Sequence, residues 1–135
     1  DGAVERSDMR QTSKRLKAGR AIWYAADQDY GRKHSVFAPF FGISTATITA
    51  SSRLAQRNQS PVLMLHQIRD LKNRTWTLRF SPVLEDFAQG DEVSDATRLN
   101  QLLEDSLREV PDQYLWVHRR FKTRPIGEDS FYHNS

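Results

Sequence analysis

The segment that most constrains this chain is a run of 21 residues, IWYAADQDYGRKHSVFAPFFG, at positions 22–42. It joins a short apolar stretch, a charged loop and an aromatic stretch. The apolar stretch has the length and the aromatic content of a buried strand. Unpaired charges are costly to bury, and open α/β sheets place their sites where strands end. We therefore expect the charged loop, residues 27–35, to carry the chemistry of the protein.

Hydrophobic periodicity predicts an α/β fold, in which a layered mixed β-sheet is flanked by helices within a single domain, residues 1–135. Helices are predicted over residues 7–18, 43–57 and 91–110, and strands or extended segments over residues 21–26, 36–41, 61–68 and 75–80. Residues 43–57 fit both periods, and we assign them to a helix with Ser44 as its N-cap because their small side chains allow close packing on a sheet. Alternation over residues 75–80 predicts one buried face, and we expect Trp23 and Trp76 in the core.

Composition narrows the class of protein. The chain has no cysteine, which excludes disulfides, thiolate metal sites and a cysteine nucleophile. No apolar stretch approaches the roughly 18 residues of a membrane-spanning helix. The net charge of +3 hides an acidic segment at residues 82–112 that carries −7, so the remainder carries +10. Such a basic body suits an anionic partner, such as phospholipid head groups, a phosphorylated sugar or nucleic acid.

Four charged side chains in the loop are candidates for substrate binding. Asp27 and Asp29 flank one glutamine, and alternate residues of an extended segment point the same way. The pair can therefore hold an arginine, support a substrate-facing loop or bind a divalent ion, although aspartate ahead of glycine is also ordinary turn chemistry. Arg32 and Lys33 follow Gly31 and can grip a phosphate, unless they belong to a solvated turn.

A second basic cluster lies near the C-terminus. Residues 118–124 contain four permanent cations that we predict to bind an anionic substrate or surface, Arg119, Arg120, Lys122 and Arg124. Trp116 and Phe121 accompany them, a combination that suits a membrane interface with aromatic rings at head-group depth and cations on phosphates. The same composition also suits RNA, and a solvated tail is a third alternative.

Residues 22–42, together with PDQYLWVHRRFKTRP at residues 111–125, closely resemble the bacterial lipid A biosynthesis late acyltransferases. The resemblance extends from about residue 10 to the C-terminus. It implies a glycerolipid-acyltransferase-like fold, and transfer of a fatty acyl chain from an acyl carrier protein thioester to a hydroxyl of a lipid A precursor. It also implies that Asp27 and Asp29 lie at the active-site cleft, that the cations face substrate phosphates, and that no metal or organic cofactor takes part. The implied location is the cytoplasmic face of the inner membrane.

The sequence departs from that family in one respect. Family members carry a catalytic histidine that is followed five residues later by Asp or Glu. None of the four histidines, at positions 34, 66, 118 and 133, has an acid five positions later. We therefore expect no catalytic dyad in this chain, which would correspond to the C-terminal half of an acyltransferase domain and would be inactive alone.

Two alternatives remain open at this stage. Asp27 and Asp29 can bind the divalent ion of a metal-dependent glycosyltransferase, and the basic C-terminal cluster can belong to a nucleic-acid-binding module. The resemblance favours the acyltransferase over both. The expected partners are thus the acyl carrier protein thioester, the lipid A precursor and an anionic membrane surface, and nucleic acid is not among them.

Overall fold

The computed structural model describes residues 2–5 and 8–132 and has the α/β class that the sequence predicts. The helices are α1 (Met9–Lys17), α2 (Ala50–Asn58) and α3 (Glu92–Glu109), and the strands are β1 (Ser35–Phe40), β2 (Ile43–Ile48), β3 (Leu65–Asp70) and β4 (Thr75–Phe80). Short 3₁₀ turns occur at Arg32–His34, Pro111–Gln113 and Trp116–His118. Within the described residues the strands pair as two antiparallel hairpins, β1–β2 and β3–β4, rather than as one mixed sheet.

The β1–β2 hairpin replaces the first part of the predicted helix 43–57. Phe40 pairs with Ile43, so the turn has two residues, Phe41 and Gly42, with φ of 48° and 75°. Positive φ at both central positions is the geometry that continues the right-handed strand twist. The backbone N–H of Phe41 donates to Oε1 of Glu104 at 2.7 Å, which anchors this strained turn to α3. Ser44 lies inside β2 and is not an N-cap, so that prediction is wrong.

Helix α2 begins only after β2 has ended. Thr49 occupies its N-cap position, and the helix runs from Ala50 to Asn58. The alternating threonines of residues 45–49 decide the outcome, because β-branched side chains favour a pleated strand once a partner strand is available. The predicted helix 43–57 is therefore correct only in its second part.

Helix α3 is the central support of the fold, and its prediction is confirmed. The side chain of Asp91 accepts from the backbone N–H groups of Val93 and Ser94, each at 3.0 Å, and so caps the helix. Its apolar stripe packs on β1 and on the turn that precedes the helix. Ala96, Leu99 and Leu107 are buried along that stripe.

Two surfaces predicted to be buried are exposed instead. Residues 21–26 form no strand, and the side chain of Trp23 is 74% exposed. All six residues of β4 are exposed, including Trp76 at 59%. The predictions of a buried strand at 21–26, a half-buried β4 and two core tryptophans are therefore wrong for this structure. Neither face of β4 is buried by another element of the described residues, and residues 22 and 24–26 are only partly buried.

Helix α1 is present as predicted within residues 7–18, although residue 7 lies outside the described residues. Asp8 caps it by accepting from the backbone N–H of Gln11 at 2.9 Å. Among the described residues no helix combines the length and the apolar character needed to cross a membrane.

Candidate functional site

The charged loop, residues 27–35, which we call the acidic loop after Asp27 and Asp29, is held to the C-terminal block, residues 111–125, through Asp29. The buried Asp29 carboxylate accepts from the backbone N–H of Gly31 at 2.9 Å, and from the backbone N–H and Oγ1 of Thr123, each at 2.8 Å. Gly31 has a φ of 81°, which side chains rarely adopt, so glycine permits the turn. Because a buried carboxylate needs such donors, Asp29 fixes the path of the loop.

Arg120 is the largest fully buried side chain of the described residues, at 0% exposed. Its guanidinium donates to the carbonyl of Ala46 at 2.7 Å, to Oγ1 of Thr47 at 3.1 Å and to Oδ1 of Asn100 at 3.2 Å. It also lies over the ring of Phe40, 5.3 Å from the centroid. Burial lowers the pKa of Arg120, while the nearby Tyr114 and Asp29 partly oppose that shift. This cation therefore ties the C-terminal block to the β1–β2 hairpin and to α3.

Asn100 completes this buried network. Its Nδ2 donates to the carbonyl of Pro39 and to Oγ1 of Thr47, both at 3.0 Å, while its Oδ1 accepts from Arg120. One side chain of α3 thus contacts β1, β2 and the C-terminal block. No sequence pattern points to Asn100, because a single polar residue on an apolar stripe reveals its role only when its partners are known.

Tyr114 joins Asp27, the other acidic residue of the loop, to the C-terminal block. Its hydroxyl donates to the carbonyl of Asp27 at 3.3 Å and lies 3.3 Å from Nε2 of His118. Burial raises the pKa of Tyr114, and the negative charge of Asp27 adds to the shift. The phenol therefore stays protonated at neutral pH as a hydrogen-bond donor beside the half-buried Asp27. Tyr114 and His118 are not among the predicted site residues, although both lie in the block that carries the family resemblance.

Arg32 and Arg124 connect the loop and the C-terminal block at a second point. Arg32 donates to the carbonyl of Arg124 and lies over the ring of Phe37, 5.6 Å from the centroid. Arg124 donates to the carbonyl of Ser44 at 2.6 Å and forms an ion pair with Glu128. The charge of Arg124 is thus partly neutralised, whereas the Arg32 side chain remains exposed.

The remaining predicted cations face solvent. Lys33, Arg119 and Lys122 are exposed, and Arg119 lies 5.7 Å from the ring centroid of Tyr132. Exposed apolar side chains occur in the same stretch of chain, with Val117 at 82% and Ile126 at 92%. The structure therefore brings together Asp27, Asp29, Arg32, Arg120 and Arg124, and it leaves Lys33, Arg119 and Lys122 outside that cluster.

Phe121 belongs to the packed side of the C-terminal block. Its ring centroid is 5.8 Å from that of Phe40 and 6.1 Å from that of Phe131. Trp116 packs edge-to-face on Tyr114, with ring centroids 4.8 Å apart, and is nevertheless 44% exposed. The aromatic residues predicted for a membrane interface are thus partly used for internal packing.

The hydrogen-bond donors around Asp29 disfavour metal binding by its carboxylate. Three N–H or O–H groups point at its carboxylate oxygens, where a cation would need the same electron pairs. Over residues 2–5 and 8–132, no three His, Asp or Glu side chains are grouped as a metal site would need.

Comparison with known proteins assigns this chain to a family. A family model described as bacterial lipid A biosynthesis acyltransferase matches residues 3–123. The chain therefore belongs to the bacterial lipid A biosynthesis acyltransferase family.

Individual relatives agree with this assignment. The lipid A biosynthesis palmitoleoyltransferase of Escherichia coli is 39% identical over 130 residues, which is 96% of this chain and 42% of that protein. A lipid A biosynthesis acyltransferase of Haemophilus influenzae is 39% identical over 124 residues, 90% of this chain and 40% of that protein. The lauroyltransferase of Escherichia coli is 35% identical over 130 residues, again 96% and 42%. The chain thus spans about two fifths of the length of these three relatives.

Proposed function

We propose that this chain is the C-terminal half of an acyltransferase domain. The complete enzyme transfers a fatty acyl chain from an acyl carrier protein thioester to a hydroxyl of a phosphorylated lipid A precursor, at the cytoplasmic face of the inner membrane. The observation that carries the proposal is the family match over residues 3–123, which includes the acidic loop and the C-terminal block as far as Thr123. The names of the similar proteins, two of which specify the transferred acyl group, support it.

Acyl transfer needs a general base at the attacking hydroxyl and donors for the oxyanion. No histidine of this sequence has the acid partner five residues later, so we assign the base to another part of the enzyme. The half described by the structure supplies the acidic loop. Asp27, beside the neutral phenol of Tyr114, is the carboxylate placed to contact substrate, whereas Asp29 and Arg120 are positioning residues that hold the loop and the C-terminal block.

The proposal is tested by acyl transfer measured with an acyl carrier protein thioester and a lipid A precursor. We expect no turnover by the 135-residue chain, because it lacks the dyad. We expect turnover by a chimera in which this chain replaces the matching part of the Escherichia coli palmitoleoyltransferase. That relative, expressed intact, is the positive control. Turnover by the chain alone, or a folded chimera without turnover, contradicts the proposal.

The exposed cations of the C-terminal block are proposed to contact anionic lipid. Each cation near an anionic membrane surface contributes roughly 1 kcal/mol, so Arg119→Gln with Lys122→Gln should weaken vesicle binding by about 30-fold at low salt, and by less at high salt. Sedimentation with vesicles of graded anionic content measures this change. The control is Lys72→Gln with Arg74→Gln, which removes two exposed cations from the β3–β4 turn.

Substitution of an exposed apolar side chain distinguishes a membrane-binding surface from one that binds nucleic acid. Val117→Ser should weaken vesicle binding at both salt concentrations and leave RNA binding unchanged, because only the bilayer rewards burial of Val117. Equal loss of vesicle binding in the Arg119/Lys122 and Lys72/Arg74 variants would overturn the assignment, since it would show attraction by net charge alone.

A further inference from the structure

A cavity of about 910 Å³ lies between α1, the acidic loop and α2. Its size is within the range of pockets that enclose small molecules and cofactors. Neither Asp27 nor Asp29 lines it, and its wall includes Met9 of α1, Tyr24 and His34. The cavity is therefore a separate feature from the cluster around Asp29 and Arg120.

The lining of the cavity combines apolar and cationic side chains. Ile48 and Leu54, both buried, line it together with Met9. Arg53 and Arg57 of α2 line it as well. Among the described residues that line the cavity, none is acidic. A wall of this kind suits an amphiphile, because it offers dispersion contacts to a hydrocarbon chain and electrostatic attraction to an anionic group.

The two arginines of α2 differ in their partners. Arg53 and Arg57 stand four residues apart on one face of a nine-residue helix, where like charges destabilise the helix. The carboxylate of Glu92 offsets the charge of Arg53 by accepting two hydrogen bonds from it, and Arg57 lies in the last turn of α2, where the helix dipole favours a cation. Arg57 is exposed and forms no ion pair within residues 2–5 and 8–132. Its charge is thus available to a ligand.

The position of His34 adds a second polar group. Its carbonyl accepts from the backbone N–H of Thr49, the N-cap residue of α2, at 3.2 Å. This bond fixes the end of the acidic loop beside the cavity, which the exposed side chain of His34 helps to line. Imidazole can donate a hydrogen bond to an anionic oxygen in either charge state.

We propose that this cavity binds an amphiphile in which an acyl chain ends in an anionic oxygen group, a phosphate or a carboxylate. The hydrocarbon lies against Met9, Ile48 and Leu54, and the anionic group meets Arg57 and His34. The pocket stands on its own geometry, and only the identification of its ligand as one of the lipid substrates rests on the proposed function.

Isothermal titration calorimetry of the 135-residue chain with dodecyl phosphate, below its micellar concentration, tests the proposal. We expect saturable binding that Arg57→Gln weakens at least about tenfold, as for loss of one charge-assisted contact. Lys72→Gln, which removes an exposed cation from the β3–β4 turn, should leave affinity unchanged. Inorganic phosphate and the uncharged dodecyl maltoside should each bind at least about tenfold more weakly, because each offers only half of the interaction.

Dodecanoate distinguishes the two head groups, since it carries the same hydrocarbon with a carboxylate. Tighter binding of dodecanoate than of dodecyl phosphate identifies a fatty acid site, much weaker binding identifies a phosphate site, and equal affinity shows that the site accepts either anionic head group. A second variant, Ala50→Phe, places a large side chain at a lining position and should abolish binding of both ligands. Its folding is checked by circular dichroism.

Binding of dodecyl phosphate that neither Arg57→Gln nor Ala50→Phe weakens would overturn the proposal. Equal affinity for the uncharged amphiphile would do the same. These outcomes are independent of acyl transfer, because no acyl donor is present in the titration. An active chimera without amphiphile binding rejects the cavity proposal alone, and binding without activity in the chimera rejects the acyltransferase proposal alone.

Discussion

Arg120→Ala is expected to lower the free energy of unfolding by about 3–5 kcal/mol, the range for losing a large buried side chain and orphaning its partners. The change removes the hydrogen bonds that Arg120 donates to the carbonyl of Ala46 and to Oδ1 of Asn100. It also opens a cavity beside Phe40, which the guanidinium covers. Urea denaturation followed by tryptophan fluorescence measures the loss.

The neighbouring residue provides a matched control. Arg119 has the same side chain and is exposed, with a ring contact to Tyr132. Arg119→Ala should therefore cost no more than about 1 kcal/mol. If the two variants lost the same stability, Arg120 would not have the structural role that its contacts indicate. Arg120→Lys should fall between them, because an ammonium cannot reproduce the planar fork of donors.

Asp29→Asn and Asp27→Asn are expected to have opposite phenotypes. In Asp29→Asn, the NH₂ group of the new amide would replace one acceptor oxygen and would face a donor of Gly31 or Thr123. Because that donor would lose its hydrogen bond, the free energy of unfolding should fall by about 1–3 kcal/mol. Asp27→Asn should leave the melting temperature unchanged. In the active chimera, however, it should lower acyl transfer at least about tenfold, or 1.4 kcal/mol of transition-state stabilisation.

Thermal unfolding of the chain and turnover per folded molecule of the chimera separate these effects. Thr123→Val is the matched control for Asp29, because it removes the hydroxyl donor and leaves the loop sequence intact. It should reproduce part of the stability loss. Loss of stability in Asp27→Asn with full activity per folded molecule would show that both carboxylates serve only the turn.

The sequence predicts the elements whose signals are local. Helix α3 carries its own N-cap at Asp91 and a regular apolar stripe, and the β3–β4 hairpin is bounded by a polar turn, so neither depends on distant residues. Residues 43–48 satisfy two periodicities at once, and pairing with β1 decides between them. Residues 21–26 have the composition of a strand, but composition cannot supply the neighbouring strand that would pair with them.

The same distinction applies to the candidate site. Asp27 and Asp29 are candidates from sequence alone, because charges directly after an apolar stretch are unusual within a short window. The partners of Asp29 and Arg120 lie far along the chain, at Thr123 and Ala46, and nothing in the local sequence indicates them. Tertiary packing likewise decides which cations of the basic cluster are buried, as Arg120 is, and which are exposed, as Arg119 and Lys122 are.

The bond between Asp29 and Thr123 also has a consequence for biosynthesis. It joins residues 94 positions apart, so the acidic loop leaves the ribosome long before its anchor exists. Contacts of such sequence separation form late, because the intervening chain must first be ordered. A growing chain therefore carries this loop untethered until the C-terminal block has been made. Premature termination before residue 123 would leave the β1–β2 hairpin with its local pairing but deprive the loop of its fixed path.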